Sequence, residues 1–337
     1  MGNMQRGYIC DVGAYSGGGE ALYQLSNDLV DLGYDVSIVY TGKKPYRPPA
    51  KFNKYLSSVR IVSLDEVKHG ENAFVIVPEM ATSLLFHFPA ERKYVYWLSL
   101  LHYEAFAYYD PYNPNPIKPF VNKSMHIIGR SAKNLLQFGR ARFPLNNVEN
   151  LAGSWFVSNE LTKRNIPHRM LIHSIGKDFL SAGMMTPDIK QDDRSDVVLY
   201  NPAKPSVIMN KLLERGAFNY VPIRGLAFPE LLRLFRASKL YVDFGAFPGP
   251  ERLPKETAFN GVDVLVGRRN AAATDDVLIP EKYKISLADT IESIEDIIAD
   301  TIRNYEINYR DFDEFRLMIA NMERHYYSAL SQIFPSV

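Results

Sequence analysis

The sequence predicts an α/β protein built from two doubly wound parallel-sheet domains. Three observations carry that prediction. Short apolar runs of strand length alternate with amphipathic runs of helix length in both halves of the chain. Such alternation needs crossover connections, and crossovers make the strands parallel. The alternation is interrupted once, at 184–195, a polar stretch with Pro187, Asp188, Asp192 and Asp193 and no apolar period. Finally, 337 residues with 46% apolar content are enough for two cores of ordinary size.

The first series opens with an apolar strand at 7–12 and a glycine-rich turn, Gly17-Gly18-Gly19. An amphipathic helix at 20–32 follows, with Leu22, Leu25, Leu29 and Leu32 on one face. Gly33 stops it, and a strand at 36–40 completes a βαβ unit. Further strands are expected at 59–62, 73–77, 94–98, 126–128, 148–152 and 170–173, and helices at 132–138 and 157–164. Residues 108–119 hold four prolines and read as loop. After the linker, strands are expected at 197–200, 219–223, 240–244, 262–266 and 283–285. The helices between and after them fall at 207–215, 228–237, 254–261, 287–304 and 312–333. This gives a first domain at 1–180 and a second at 181–311, with the tail 312–337 packing back on the first. Phe315, Met318, Ile319, Met322 and Tyr326 stand at helical spacing in that tail. A surface for a partner or a membrane, flanked by Arg324, His325 and Tyr327, is the alternative use of that face.

Composition narrows the function. A formal charge of +1 gives no global basic field, so nucleic acid is not expected as a partner. One cysteine, Cys10, excludes an intrachain disulfide and a multi-cysteine metal site, and its apolar strand marks it as a buried thiol. The first residues lack the apolar core of a signal peptide. No run approaches the ~20 apolar residues of a membrane span. The chain therefore reads as cytoplasmic, with attachment at the inner face of a membrane as the alternative.

The most informative segment is 240–266, LYVDFGAFPGPERLPKETAFNGVDVLV. A buried strand leads into a loop with Gly245, Pro248, Gly249 and Pro250. A short helix then opens near Pro254, ends at Gly261 and leads to a second strand. A strand, a glycine-rich loop and a helix start bring backbone N–H groups to one point and favour an anion there. Arg252 and Lys255 add cations, and Glu256 adds a carboxylate able to accept two hydrogen bonds from vicinal ribose hydroxyls. The mixture suits a nucleoside diphosphate carrying a sugar.

These residues resemble the GT-B glycosyltransferases, in particular the retaining branch called family four, over nearly the whole chain. Residues 15–32 (YSGGGEALYQLSNDLVDL) look like that family's acceptor-side loop and first helix. Residues 150–180 look like its passage from the last strands of the first domain into the linker. VVLYNPAKP at 197–205 looks like the first strand of the donor domain and its phosphate-side lysine loop. The donor motif is closer still to a bacterial subgroup associated with surface polysaccharide assembly. The resemblance implies two Rossmann-like domains facing across a cleft, and a metal-independent transfer from a UDP- or GDP-linked sugar to a glycan or lipid-linked saccharide. It implies no further cofactor and no metal site; Asp192-Asp193 lies in the linker. Its implied nucleotide-sugar contacts are Asn201, Lys204, Ser206, Arg224, Gly249, Pro250, Glu251, Arg252, Leu253 and Glu256. His102, Lys204 and Arg252 are the implied catalytic groups, and Gly17, Gly18, Gly19, Glu79, Tyr103 and Glu104 the acceptor side.

Two departures matter. The family carries glutamates at either end of a seven-residue interval, and counting back from Glu256 the first falls on Pro248. Its arginine five positions before the phosphate lysine falls on Leu199, so Lys204 needs a second cation, with Arg252 and Arg224 as candidates. Each assignment also has a plainer reading. Glu256 could complement a helix start, worth about 0.3–1 kcal/mol. Lys204 could be a solvated loop lysine, Arg252 an ion-pair partner of Glu251 and Glu256, His102 a structural histidine, and Glu79 a cap. Other function classes stay open: a non-catalytic binding subunit of a polysaccharide complex, a sugar-nucleotide epimerase of the same fold, or a phosphorylase.

Overall fold

The computed structural model describes residues 5–13, 16–41, 48–100, 103, 132, 143–184, 194–204 and 206–336. The chain divides into two compact units. One comprises Met1–Tyr108, Asn122–His173 and Tyr326–Val337; the other comprises Tyr109–Val121 and Ser174–His325.

In the first unit the described strands are β1 (Arg6–Asp11), β2 (Asp35–Tyr40), β3 (Arg60–Ser63), β4 (Ala73–Pro78), β5 (Arg92–Trp97), β6 (Glu149–Ala152) and β7 (His168–Met170). They form one sheet in the order β3-β2-β1-β4-β5-β6-β7, with every pairing parallel. Ile9 registers with Ile38 on one side and Ile76 on the other. Both faces are covered, so the central strands are almost wholly apolar. Cys10, Val75, Val77, Val95 and Trp97 pack with Leu84, Leu85, Phe88, Val157 and Leu161 on one side. Ile9, Phe74, Ile76, Tyr94 and Tyr96 pack with Leu22, Leu25 and Leu29 on the other. Cys10 is buried, and burial pushes its thiol far above the ordinary range, as an inert core residue requires.

Helix α1 (Gly17–Asp31) begins three residues earlier than the sequence suggested. The Ser16 hydroxyl accepts the Gly19 N–H at 3.1 Å, and this cap draws the three glycines into the first helical turn. Ser154 caps α2 (Trp155–Lys163) in the same way. Strand β7 lies at His168–Met170 rather than 170–173, set by the parallel register of Asn150 with His168. The strand expected at 126–128 lies outside the described residues, as does the helix expected at 132–138 apart from Ala132.

The second unit carries β8 (Ser195–Tyr200), β9 (Asn219–Pro222), β10 (Ser238–Asp243), β11 (Asp263–Gly267) and β12 (Lys284–Ile285), again all parallel, in the order β12-β11-β10-β8-β9. Its helices are α3 (Lys177–Ala182), α4 (Val207–Arg215), α5 (Phe228–Ala237), α6 (Leu253–Phe259), α7 (Ile291–Arg303) and α8 (Tyr305–Asn308). Helix α7 starts four residues later than expected, because Thr290 accepts the Ser293 N–H and fixes its first turn. The polar interval at 184–195 is shorter than it reads. Arg194 is buried and donates to the carbonyls of Phe235, Ser238 and Asn260, so the second unit is already engaged there.

Helix α9 (Asp313–Ile333) belongs to the second unit through His325 and to the first from Tyr326 onward. Tyr326, Leu330, Ile333 and Phe334 lie in the first unit's core with Phe74 and Tyr94. Tyr34 donates to the Pro335 carbonyl at 2.6 Å, and Tyr327 to Asp28 at 2.8 Å. Phe315, Ile319 and Met322 are buried as well. Most of the apolar face of this helix is therefore buried in packing, while Leu317 is exposed. Among the described residues no helix is long and apolar enough to cross a membrane.

Candidate active site

In the second sheet β8 leads to β9 on one side, and β10 then pairs with β8 on the other. The strand order reverses between β8 and β10, and the loops leaving their carboxyl ends diverge there. That is where open α/β sheets bind ligands. Both sequence motifs of the donor side arrive at this place.

The loop after β8 is a tight turn. The Asn201 side chain accepts the Ala203 N–H at 3.0 Å, and its carbonyl accepts the Lys204 N–H at 3.2 Å. Asn201 therefore shapes the turn that presents Lys204. Ser206 is fully buried and caps α4, its hydroxyl accepting the Met209 N–H.

The loop after β10 comes against that turn. Lys204 pairs with Glu251, and its ammonium lies 5.5 Å from the centre of the Phe247 ring. Gly245 makes the approach possible: a β-carbon there would stand 2.8 Å from Asp243 Oδ1 and 3.0 Å from Lys204 Cβ. Asp243 holds the loop's first bend, accepting the Gly245 N–H and the Tyr241 hydroxyl, each at 2.8 Å. Burial raises its carboxyl above the usual range, and the charge of Lys204 opposes that rise.

A second set of contacts ties the loop down from behind. Arg269 donates to the carbonyls of Gly245 and Phe244 at 2.7 and 2.9 Å, and Asn270 to that of Ala246 at 2.6 Å. Phe247 is buried in the left-handed region at φ 48°, a conformation that costs a non-glycine residue about 1–3 kcal/mol. The strain sits one residue before Pro248, the position where the missing family glutamate would fall.

Helix α6 completes the group. Arg252 stands at its start with Nε 3.6 Å from Glu256 Oε1, and Glu256 is buried. A β-carbon at Gly176 would lie 3.7 Å from both Arg252 Nη2 and Glu256 Oε1, so the backbone ahead of α3 walls this pair. Gly249 is buried, while Pro250 and Leu253 are half-buried at the loop's end. With only seven residues α6 contributes little dipole, and anion attraction falls to side chains. Arg224 lies exposed beyond β9; among the described residues no hydrogen bond or ion pair ties it to Lys204 or Glu251.

The acceptor-side residues have other occupations. Gly17, Gly18 and Gly19 form the first turn of α1, with Gly18 in ordinary contact distance of Leu98. Glu79 is buried and accepts the Leu98 N–H at 3.0 Å, fixing the chain where it leaves β5. Tyr103 is buried in the core, edge-on to Trp97 at 5.1 Å. His102 and Glu104 lie outside the described residues.

Lys204, Glu251, Arg252 and Glu256 are thus brought together, with Asn201 and Ser206 beneath them as supports. Sequence reasoning placed Gly245 in the loop but missed Asp243, Arg269 and Asn270 as its framework. The Asp-Phe-Gly turn was the visible signal; the arginine and asparagine after β11 are distant in sequence and carried none.

No family model matches the chain, and no curated protein matches it. Solved structures do resemble it over almost its full length. A glycosyltransferase from Rickettsia africae is 12% identical, with a TM-score of 0.57 over 99% of this chain and 100% of that one. HepE of Anabaena, in complex with UDP-glucose, is 10% identical, with a TM-score of 0.60 over 97% and 99%. A TarM mutant of S. aureus, in complex with fondaparinux, α-GlcNAc-glycerol and UDP, is 8% identical, with a TM-score of 0.57 over 99% and 97%. With the two parallel sheets, these likenesses show that the chain has the α/β GT-B fold.

Proposed function

We propose that the chain is a nucleotide-sugar glycosyltransferase of the retaining family-four kind, with its donor at the carboxyl ends of β8 and β10. The observation that carries this reading is the meeting of Lys204 with the loop after β10, one helical turn from Glu256. A nucleoside diphosphate would set its phosphates against Lys204 and Arg252 and its ribose diol against Glu256. As the glycosidic bond lengthens, charge accumulates on the departing diphosphate, and fixed cations in a half-buried loop stabilise it there. Two of the similar structures hold UDP or UDP-glucose, which supports a UDP donor; a GDP donor is the alternative.

The finer reading follows the family resemblance. The sugar moved is a hexose, with retention at its anomeric carbon and His102 as a hydrogen-bond contact near it rather than an obligatory base. The acceptor is a glycan or lipid-linked saccharide in surface polysaccharide assembly. Neutralisation by Lys204 and Arg252 makes the transfer independent of metal, so EDTA leaves the rate unchanged; complete loss of activity in EDTA would contradict this. A second reading, a nucleotide-binding subunit without transfer, draws on Pro248 in place of the first glutamate. Incubation with a panel of UDP- and GDP-sugars and an acceptor extract separates the two. Release of nucleoside diphosphate is expected; tight nucleotide binding with no release from any donor would favour the subunit, and neither binding nor release would overturn both.

A further inference from the structure

Lys255 stands in the first turn of α6, between Arg252 and Glu256, and is 3% exposed. Among the described residues no hydrogen bond or ion pair reaches its ammonium. The charges that act on it are Asp276, in the segment after β11, and Glu251, Arg252 and Glu256 around the loop after β10. None is close enough to pair. A buried lysine without a partner is a liability, because the ammonium loses its hydration and gains nothing in return. Such a group sits poorly in a core and well in a site whose anion arrives with the ligand.

The cations already assigned to the site, Lys204 and Arg252, each stand beside a carboxylate. Lys204 is engaged by Glu251, Leu199 stands where the family places an arginine, and Arg224 is exposed and apart. We propose that Lys255 is a further cation of the diphosphate site, beside Lys204 and Arg252, pairing only when a nucleoside diphosphate enters. The proposal rests on the donor-site reading above. It has a consequence for protons. Burial lowers the affinity of the free Lys255 amine for its proton, with Asp276 and Glu251 opposing and Arg252 assisting. An entering diphosphate restores that affinity, so binding takes up a proton where the free amine is partly neutral. It also has a consequence for stability. Removing the unpaired charge relieves the empty protein, so function here is retained at the expense of stability.

The test uses the full chain with UDP, GDP and uridine as probes. Titration calorimetry of Lys255→Met should show UDP affinity reduced at least about tenfold, with uridine affinity unchanged, since the nucleoside lacks the anion. The melting temperature of the empty variant should be equal to or above that of the parent. Lys255→Arg should keep most of the UDP affinity. Should Lys255→Met fail to fold, the parent protein decides. Between pH 8 and 10 the UDP phosphates are fully ionised and the uracil N3–H titrates alike in UDP and uridine, so heats measured in two buffers of unlike ionisation enthalpy should reveal proton uptake with UDP beyond that with uridine. Equal UDP affinity in parent and Lys255→Met, or no uptake with UDP beyond that with uridine across that range, would overturn the assignment of Lys255 while leaving the donor site standing. Failure of the parent to bind either UDP or GDP would remove the donor site and this proposal with it.

Discussion

The two sheets have the same architecture and treat their carboxyl ends differently. In the first unit, several of the described polar groups at that end serve the fold. Glu79 accepts a backbone N–H, Asp11 accepts the Tyr23 hydroxyl and the Gly13 N–H, and Ser16 caps a helix. In the second unit, Lys204, Glu251, Arg252, Lys255 and Glu256 crowd one loop, and Arg269 and Asn270 brace that loop ahead of its strained Phe247. Like charges are neighbours and a lysine is buried unpaired. An arrangement that does not favour its own stability marks the edge that awaits a ligand.

Substitutions can break that contrast, and the largest effect lies at the opposite end of the second sheet. Arg316 donates to the carbonyls of Tyr309 and Ala258, lies 3.6 Å from the centre of the Tyr309 ring and stands 3.8 Å from the buried Asp263. Arg316→Met removes these two carbonyl hydrogen bonds and the cation nearest Asp263, and should cost about 2–4 kcal/mol in denaturant unfolding. It should leave nucleotide affinity untouched wherever the variant is folded.

At the carboxyl end the ranking reverses. Lys204→Met and Glu256→Ala should each weaken UDP binding by about 2 kcal/mol, or roughly thirtyfold, with little change in stability. Glu79→Gln should lower stability and leave UDP affinity alone. If Glu79→Gln weakened UDP as much as Glu256→Ala, the distinction between the two edges would fail. Gly245→Ala forces a β-carbon against Asp243 and Lys204 and should cost about 1–3 kcal/mol of stability together with a loss of affinity. The smallest effect is the most pointed. Glu251 occupies Lys204 in the empty protein, so Glu251→Gln should tighten UDP by about 1 kcal/mol, read by calorimetry. Weaker binding would instead make Glu251 a direct contact.

The fold was legible because its signals are local. Apolar strands of four to six residues, glycine stops and a proline at a helix start gave nearly every described element within a few residues. The shifts came from single hydroxyls. Ser16 and Thr290 move the starts of α1 and α7, and a capping bond depends on geometry that spacing does not state. The donor-side cluster was legible for the same reason, since 240–266 carries its loop, its helix and its charges in one run. What was not legible is pairwise. That Lys204 meets Glu251, that Asp243 bends the loop, and that Arg269 and Asn270 brace it are contacts between segments up to about fifty residues apart. On the acceptor side, spacing did not show that Glu79 holds the Leu98 N–H or that Tyr103 packs on Trp97, since both contacts are made through the fold.

The central claim is that a nucleoside diphosphate docks where β8 and β10 diverge. A crystal structure of the protein with UDP tests it most directly. The phosphates should lie between the turn at Lys204 and the loop at 244–252, with the ribose hydroxyls on Glu256. A bound UDP lying elsewhere on the chain, with Lys204 still paired to Glu251 and Glu256 untouched, would contradict it.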